Sequence, residues 1–126
     1  MSINFEGKNC FITGASGGLG QEIAKELANQ KCNLFLTGRN KEKLSELKDH
    51  IKNSINDTLQ IQYQEGDLNN LEDVRKIISS AKESFKVFDI LVNSAGIFLS
   101  KSIHNSSLEE FEKIFNVNIR APFIFC

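Results

Sequence analysis

Short apolar runs alternate along the chain with longer stretches in which apolar residues recur every three or four positions. Asn9-Cys10-Phe11-Ile12-Thr13 reads as a strand ending at Gly14, and Ile23, Ala24, Leu27 and Ala28 give helical spacing over residues 19–30. Cys32-Asn33-Leu34-Phe35-Leu36-Thr37 is a second strand stopped by Gly38. Leu44, Leu47, Ile51 and Ile55 then predict a one-faced helix over 41–55. Residues 59–64 alternate as a third strand before Gly66-Asp67. Asn69-Asn70-Leu71-Glu72 offers an N-cap for a helix through Val74, Ile77, Ile78, Ala81 and Phe85. Phe88-Asp89-Ile90-Leu91-Val92 is a fourth strand. Ser107-Leu108-Glu109-Glu110 is a capping box ahead of Phe111, Ile114, Phe115 and Asn118.

The order is β-α-β-α-β-α-β-α, without repeats or low-complexity tracts. Strands joined by helical crossovers of about 11 or more residues run parallel, with right-handed connections. A parallel sheet carries helices on both faces, so the expected fold is α/β, a doubly wound parallel sheet. Such sheets bind ligands beyond the carboxyl ends of their strands, which directs attention to the turns at Gly14, Gly38, Gly66 and Gly96.

Composition narrows the classes. The chain has 126 residues, 15 Lys+Arg against 16 Asp+Glu for a net charge of −1, and 40% apolar residues. This is one globular domain, and the near-neutral balance argues against a nucleic-acid partner. No run of about 18 apolar residues is present to cross a membrane, and residues 1–8 lack the apolar stretch of a signal peptide. Cys10, Cys32 and Cys126 cannot all pair within one chain, so a reducing, cytoplasmic setting is expected. His50 and His104 have no ligand spacing with a Cys or acidic cluster, and no metal site is expected.

The first turn, Thr13-Gly14-Ala15-Ser16-Gly17-Gly18-Leu19-Gly20, places four glycines within residues 14–20. Gly14 permits a tight turn, Gly18 admits a pyrophosphate to the backbone, and Gly20 allows helix and strand to pack closely. The anion then sits on the N–H groups of a helix N-terminus. No Gly-Lys-Ser/Thr follows, which excludes a P-loop. About 20 residues after such a turn an Asp or Glu usually grips the ribose 2′-hydroxyl of NAD. Here that window reads Leu36-Thr37-Gly38-Arg39-Asn40. A guanidinium can bond a 2′-phosphate in a two-pronged fashion, which selects NADP(H) over NAD. The alternative is that Arg39 is only a solvated charge ahead of the second helix.

These residues resemble the short-chain dehydrogenase/reductase family. Thr13, Gly14, Gly18 and Gly20 match its T-G-x-x-x-G-x-G motif, while Gly17 also fits the T-G-x-x-G-x-x-G of its extended branch. Asn93-Ser94-Ala95-Gly96 is similar to N-N-A-G with Ser94 for the second Asn, and Asn118 matches a further family Asn. The resemblance implies a Rossmann fold and cofactor contacts from Gly14, Ser16, Gly18, Leu19, Gly20 and Arg39. It implies further contacts from Asp67 on the adenine amine and Leu68 on the ring; at the fourth turn the cofactor-binding residues are Asn93, which can bond neighbouring main chain and hold the turn, and Ala95 and Gly96, which leave room for ribose and nicotinamide. Asn118 is expected to bind, through its carbonyl, a water of the catalytic proton relay. Pro122 lacks the N–H that a helix would offer that carbonyl.

The family's catalytic Ser and Tyr-x-x-x-Lys have no match here. The one tyrosine, Tyr63, lies in the third strand with Asp67 four positions on. With the apolar ending Ala121-Pro122-Phe123-Ile124-Phe125-Cys126, the expectation is an NADP-binding domain over 1–126, cut in the crossover helix. The implied function is carbonyl reduction or alcohol oxidation by hydride transfer on a small-molecule substrate, with the chain by itself inactive. The rival class is a non-catalytic nucleotide-binding or regulatory module. An extended-branch epimerase is disfavoured by residues 93–96 and Asn118. Association of copies is expected through the last helix.

Overall fold

Strand β1 (Asn9–Thr13) lies between β2 (Asn33–Gly38) and β4 (Ile90–Asn93), and β3 (Ile61–Glu65) completes a four-stranded sheet of order β3-β2-β1-β4. The computed structural model describes residues 3–126. All three pairings are parallel, in a register that sets Thr13 beside Asn93 and Gly38 beside Glu65. The carboxyl ends of the strands therefore reach one common edge.

Side chains of β1 and β2 alternate between two cores. Cys10, Ile12, Leu34 and Leu36 face α1 (Gly18–Asn29) and α2 (Lys41–Ser54), meeting Ala24, Ala28, Leu44, Leu47 and Ile51. Phe11 and Phe35 face the opposite way, onto α3 (Leu71–Ser84) through Val74, Ile77 and Ala81. Phe11 lies 5.1 Å from Phe35, 5.4 Å from Phe88 and 5.1 Å from Phe125, ring centre to ring centre. Burial on both faces explains why these strands are nearly continuous apolar runs. On α1 the buried positions are the small Gly20, Ala24 and Ala28, so that helix seats close to the sheet. Cys10 and Cys32 are buried core residues; burial, then the neighbouring Cys32, pushes the Cys10 thiol up to about 12.

Three helices begin on side-chain caps. Asn40 accepts from the Lys43 N–H, Asn70 from those of Glu72 and Asp73, and Ser107 from that of Glu110. The capping box at Ser107 is only half formed, because the Glu110 carboxylate pairs with Lys101 at 2.7 Å. Strand limits differ slightly from the sequence pattern: β3 starts at Ile61 and β4 at Ile90, where pairing to the neighbouring strand begins. The last helix is not continuous. It runs as α4 (Leu108–Phe115), a π segment (Asn116–Arg120) and α5 (Ala121–Phe125), with the Ala121 N–H bonded to the Asn116 carbonyl. No helix among the described residues is long and apolar enough to cross a membrane.

The two-sided core makes a specific stability prediction. Phe35 is fully buried whereas Phe123 is 80% exposed. Phe35→Ala should cost about 3–5 kcal/mol in urea unfolding. Phe123→Ala should change stability by no more than about 0.5 kcal/mol. Equal costs would contradict the assignment of the core.

Candidate functional site

A crevice of about 400 Å³ opens at the carboxyl edge of the sheet. All four strand-ending turns contribute to it: Gly14, Ser16 and Gly17; Thr37, Gly38 and Arg39; Gly66, Asp67 and Leu68; Ser94, Ala95 and Gly96.

Its floor is backbone packed against backbone. Gly14 adopts φ +65°, and a Cβ there would come within 2.7 Å of the Ala95 nitrogen. A Cβ on Gly20 would sit 2.1 Å from the Gly14 carbonyl oxygen. Gly20 thus makes room for the turn itself, where helix-to-strand packing was expected. Gly38 makes room for Ser16, whose Oγ lies 2.4 Å from where a Cβ would stand. Gly18 differs: a Cβ there meets nothing within 4 Å. No atom of the folded chain explains its lack of a side chain.

Hydrogen bonds lace the turns together. The Ala15 N–H donates to the Thr37 carbonyl (2.9 Å), and the Gly66 N–H to the Gly38 carbonyl (3.0 Å). The Ala95 N–H donates to the buried Thr13 hydroxyl (3.1 Å). The Thr37 hydroxyl donates to the Gln64 carbonyl (2.7 Å). Asn93, expected to hold the fourth turn through its side chain, has an exposed position and makes no side-chain hydrogen bond among the described residues. Thr13 and Asn118 do that work. Asn118 Oδ1 accepts from the Ile97 N–H (2.8 Å), and its Nδ2 donates to the Ile97 carbonyl (2.6 Å).

Three features favour an anionic ligand with an attached base. The N-terminus of α1 has Gly17 at its cap, with no side-chain bond and no acidic residue in its first turn. Its free N–H groups and dipole are therefore left for an anion. Arg39, exposed at the rim, takes part in none of the ion pairs among the described residues. Asp67 Oδ1 accepts from the Asn69 N–H (2.9 Å), an Asx turn that leaves the second carboxylate oxygen available to an amine.

Seven expected contact residues line the crevice: Gly14, Ser16, Arg39, Asp67, Leu68, Ala95 and Gly96. Gly18, Leu19, Gly20, Asn93 and Asn118 do not. Leu19 projects into solvent at 70% exposure, and Gly20 lies under the turn. Lys43, Lys113, Ile97 and Val117 line the crevice without having been singled out from the sequence. Lys43 was legible in principle, one turn into the helix that follows Arg39; Lys113 and Val117 arrive through tertiary folding alone.

Comparison with known proteins follows the same lines. The family model described as short chain dehydrogenase matches residues 8–126. The chain is 36% identical over 118 residues to an uncharacterised oxidoreductase of Staphylococcus saprophyticus, covering 94% of this chain and 50% of that protein. It is 34% identical over 122 residues to an uncharacterised oxidoreductase of Thermotoga maritima, covering 97% and 47% respectively. The chain thus spans about half the length of these relatives. The L-sorbose reductase of Gluconobacter frateurii, solved with NADPH and L-sorbose, superposes with a TM-score of 0.90 at 27% identity, over 98% of this chain and 46% of that one. A blue fluorescent protein from a metagenomic library, solved with NADPH, gives 0.87 at 29% identity, over 97% and 49%. The chain belongs to the short chain dehydrogenase family, and its fold is that family's Rossmann-like parallel sheet.

The glycines separate in a stability assay. Gly20→Ala should destabilise the chain by about 1–3 kcal/mol or more through overpacking. Gly18→Ala should leave stability within about 1 kcal/mol of the original, since it only exchanges a poor helix former for a good one. A loss at Gly18 as large as that at Gly20 would contradict the open space described there.

Proposed function

We propose that this chain binds NADP(H) in the crevice and serves an oxidoreductase that moves hydride between that coenzyme and a carbonyl or alcohol. The observation carrying this reading is the convergence of the uncapped α1 N-terminus, Arg39 and Asp67 on one crevice. The open space at Gly18 is the fit test: a side chain is missing where the folded chain itself would tolerate one.

In this reading Gly14, Ser16, Gly18, Leu19 and Gly20 form the pyrophosphate turn, and backbone N–H groups at the start of α1 hold the negative charge. Arg39 bonds the 2′-phosphate through its guanidinium. Asp67 accepts from the adenine amine, and Leu68 covers the ring. Ala95 and Gly96, after Asn93 at the end of β4, border the ribose and nicotinamide, where the absence of bulk leaves room. The Asn118 carbonyl, deprived of an i+4 donor by Pro122, holds a water of a proton relay. The coenzyme supplies the hydride when bound. Both solved neighbours above are NADPH complexes, and that supports the choice of NADP.

These 126 residues contain one tyrosine, Tyr63, half-buried in β3 with Lys48 Nζ 5.9 Å from its ring centre. Tyr63 does not line the crevice. The 126 residues are therefore assigned coenzyme binding, as an NADP-binding domain, and not carbonyl reduction unaided. The partner of the full reaction is a small carbonyl or alcohol.

Nicotinamide fluorescence titration tests the coenzyme assignment. A charge-assisted contact of about 1.5–3 kcal/mol corresponds to about a 10- to 150-fold preference for NADPH over NADH. Arg39→Asp should abolish that preference. Unchanged NADPH affinity in Arg39→Asp would contradict it.

A further inference from the structure

Asn69, Asn116 and Arg120 do not line the crevice, yet they hold residues that do. Asn69 follows Asp67 and Leu68, and its N–H is the donor that orients Asp67 Oδ1 at 2.9 Å. The Asp67 N–H in turn donates to Asp73 Oδ2 at 2.9 Å, anchoring the turn to the first turn of α3. From the other side, the last helix grips Asn69 twice. Asn116 Nδ2 donates to Asn69 Oδ1 (3.1 Å), and Arg120 Nη2 donates to the Asn69 carbonyl (3.1 Å).

Asn116 and Arg120 are the first and last residues of the π segment. Positions four apart share one face of a helix, so Asn116 and Arg120 reach the same residue, Asn69. Val117, between them, is buried and lines the crevice. Arg120 Nε is fully enclosed without a hydrogen-bond partner. Its guanidinium is therefore held in place by packing as well as by the bond to Asn69. Arg120 is half-buried, and leaving its enclosed Nε unpaired has a desolvation cost that a purely stabilising role does not explain.

We propose that Asn116 and Arg120 are positioning residues for purine recognition, acting through Asn69 to fix the Asp67 carboxylate. The proposal rests on the reading that the crevice binds an adenine dinucleotide through Asp67. A carboxylate accepts hydrogen bonds and cannot donate them, so it favours the 6-amino group of adenine. It opposes the 6-oxo group of hypoxanthine, whose oxygen would face the carboxylate oxygen. That discrimination depends on the carboxylate's orientation. When the donor at Asn69 is loosened, the carboxylate can turn away and the preference collapses.

The test compares the chain's affinity for NADPH with that for its hypoxanthine counterpart, by nicotinamide fluorescence, beside the NADPH/NADH ratio. The original chain should prefer the adenine form by about 10-fold, the worth of one hydrogen bond to a charged group. Asn116→Ala and Arg120→Met should each reduce that preference to less than about threefold. Arg120→Lys, which can still donate to the Asn69 carbonyl, should restore most of it. The NADPH/NADH ratio, set at Arg39 on the neighbouring turn after β2, should hold in all three variants. Retention of the adenine preference in both Asn116→Ala and Arg120→Met overturns the proposal, as does a parallel fall of both ratios. An original chain that binds both dinucleotides without preferring adenine also overturns it. Failure to bind any dinucleotide would instead remove the reading of the crevice on which the proposal rests.

Discussion

The backbone around Gly14 is crowded from two sides, and the crevice follows from that crowding. Gly14 lies in the left-handed region, with its carbonyl under Gly20 and its α-carbon against the Ala95 backbone. Neither approach tolerates a side chain, so β1, α1 and the turn after β4 close on one point. The Thr13 hydroxyl completes the closure by accepting the Ala95 N–H. A tight junction at the floor leaves the N–H groups of α1 facing outward, with Arg39 and Asp67 on neighbouring turns after β2 and β3. Packing therefore places unequal demands on the glycines. Gly14 and Gly20 answer to the protein's own atoms, whereas a Cβ on Gly18 would meet open space.

The last helix supplies the second constraint. Its π segment fans three sets of side chains in different directions. Asn116 and Arg120 reach Asn69, Val117 joins the core and the crevice wall, and Asn118 clasps Ile97 by two hydrogen bonds. One short segment thus ties the third and fourth turns together. Each such bond between neutral groups contributes only about 0.5–1.5 kcal/mol to stability, and the one from the Arg120 guanidinium up to about 3 kcal/mol. Their larger effect is to hold two loops in one relative position, as discrimination between similar ligands requires.

The fold was legible because its signals are local. Apolar runs and period-3.6 patterns located the four strands and the helices α1 to α4, and Asn70 and Ser107 marked two helix starts through capping chemistry that spans three residues. The crevice was legible where a turn's own sequence carries its chemistry, as at Gly14, Ser16, Arg39 and Asp67. It was less so where a role is assigned by neighbours distant in sequence. Asn93 lost the holding role to Thr13, a residue 82 positions before the N–H it accepts. Pro122 signalled an irregularity beside Asn118 but not a π turn, whose Asn116 finds its partner 47 residues away. Lys113 and Val117 reach the crevice only once α4 and the π segment fold back over the sheet.

The central claim is that one dinucleotide occupies all four turns at once. Amide chemical-shift mapping of the chain during titration with NADPH tests it most directly. Shifts should appear together, at a single apparent affinity, at Gly14, Ser16, Gly18, Arg39, Asp67, Leu68, Ala95 and Gly96. Shifts confined to one turn, or centred instead on the apolar groove lined by Leu99, Ile103 and Phe111, would contradict the account.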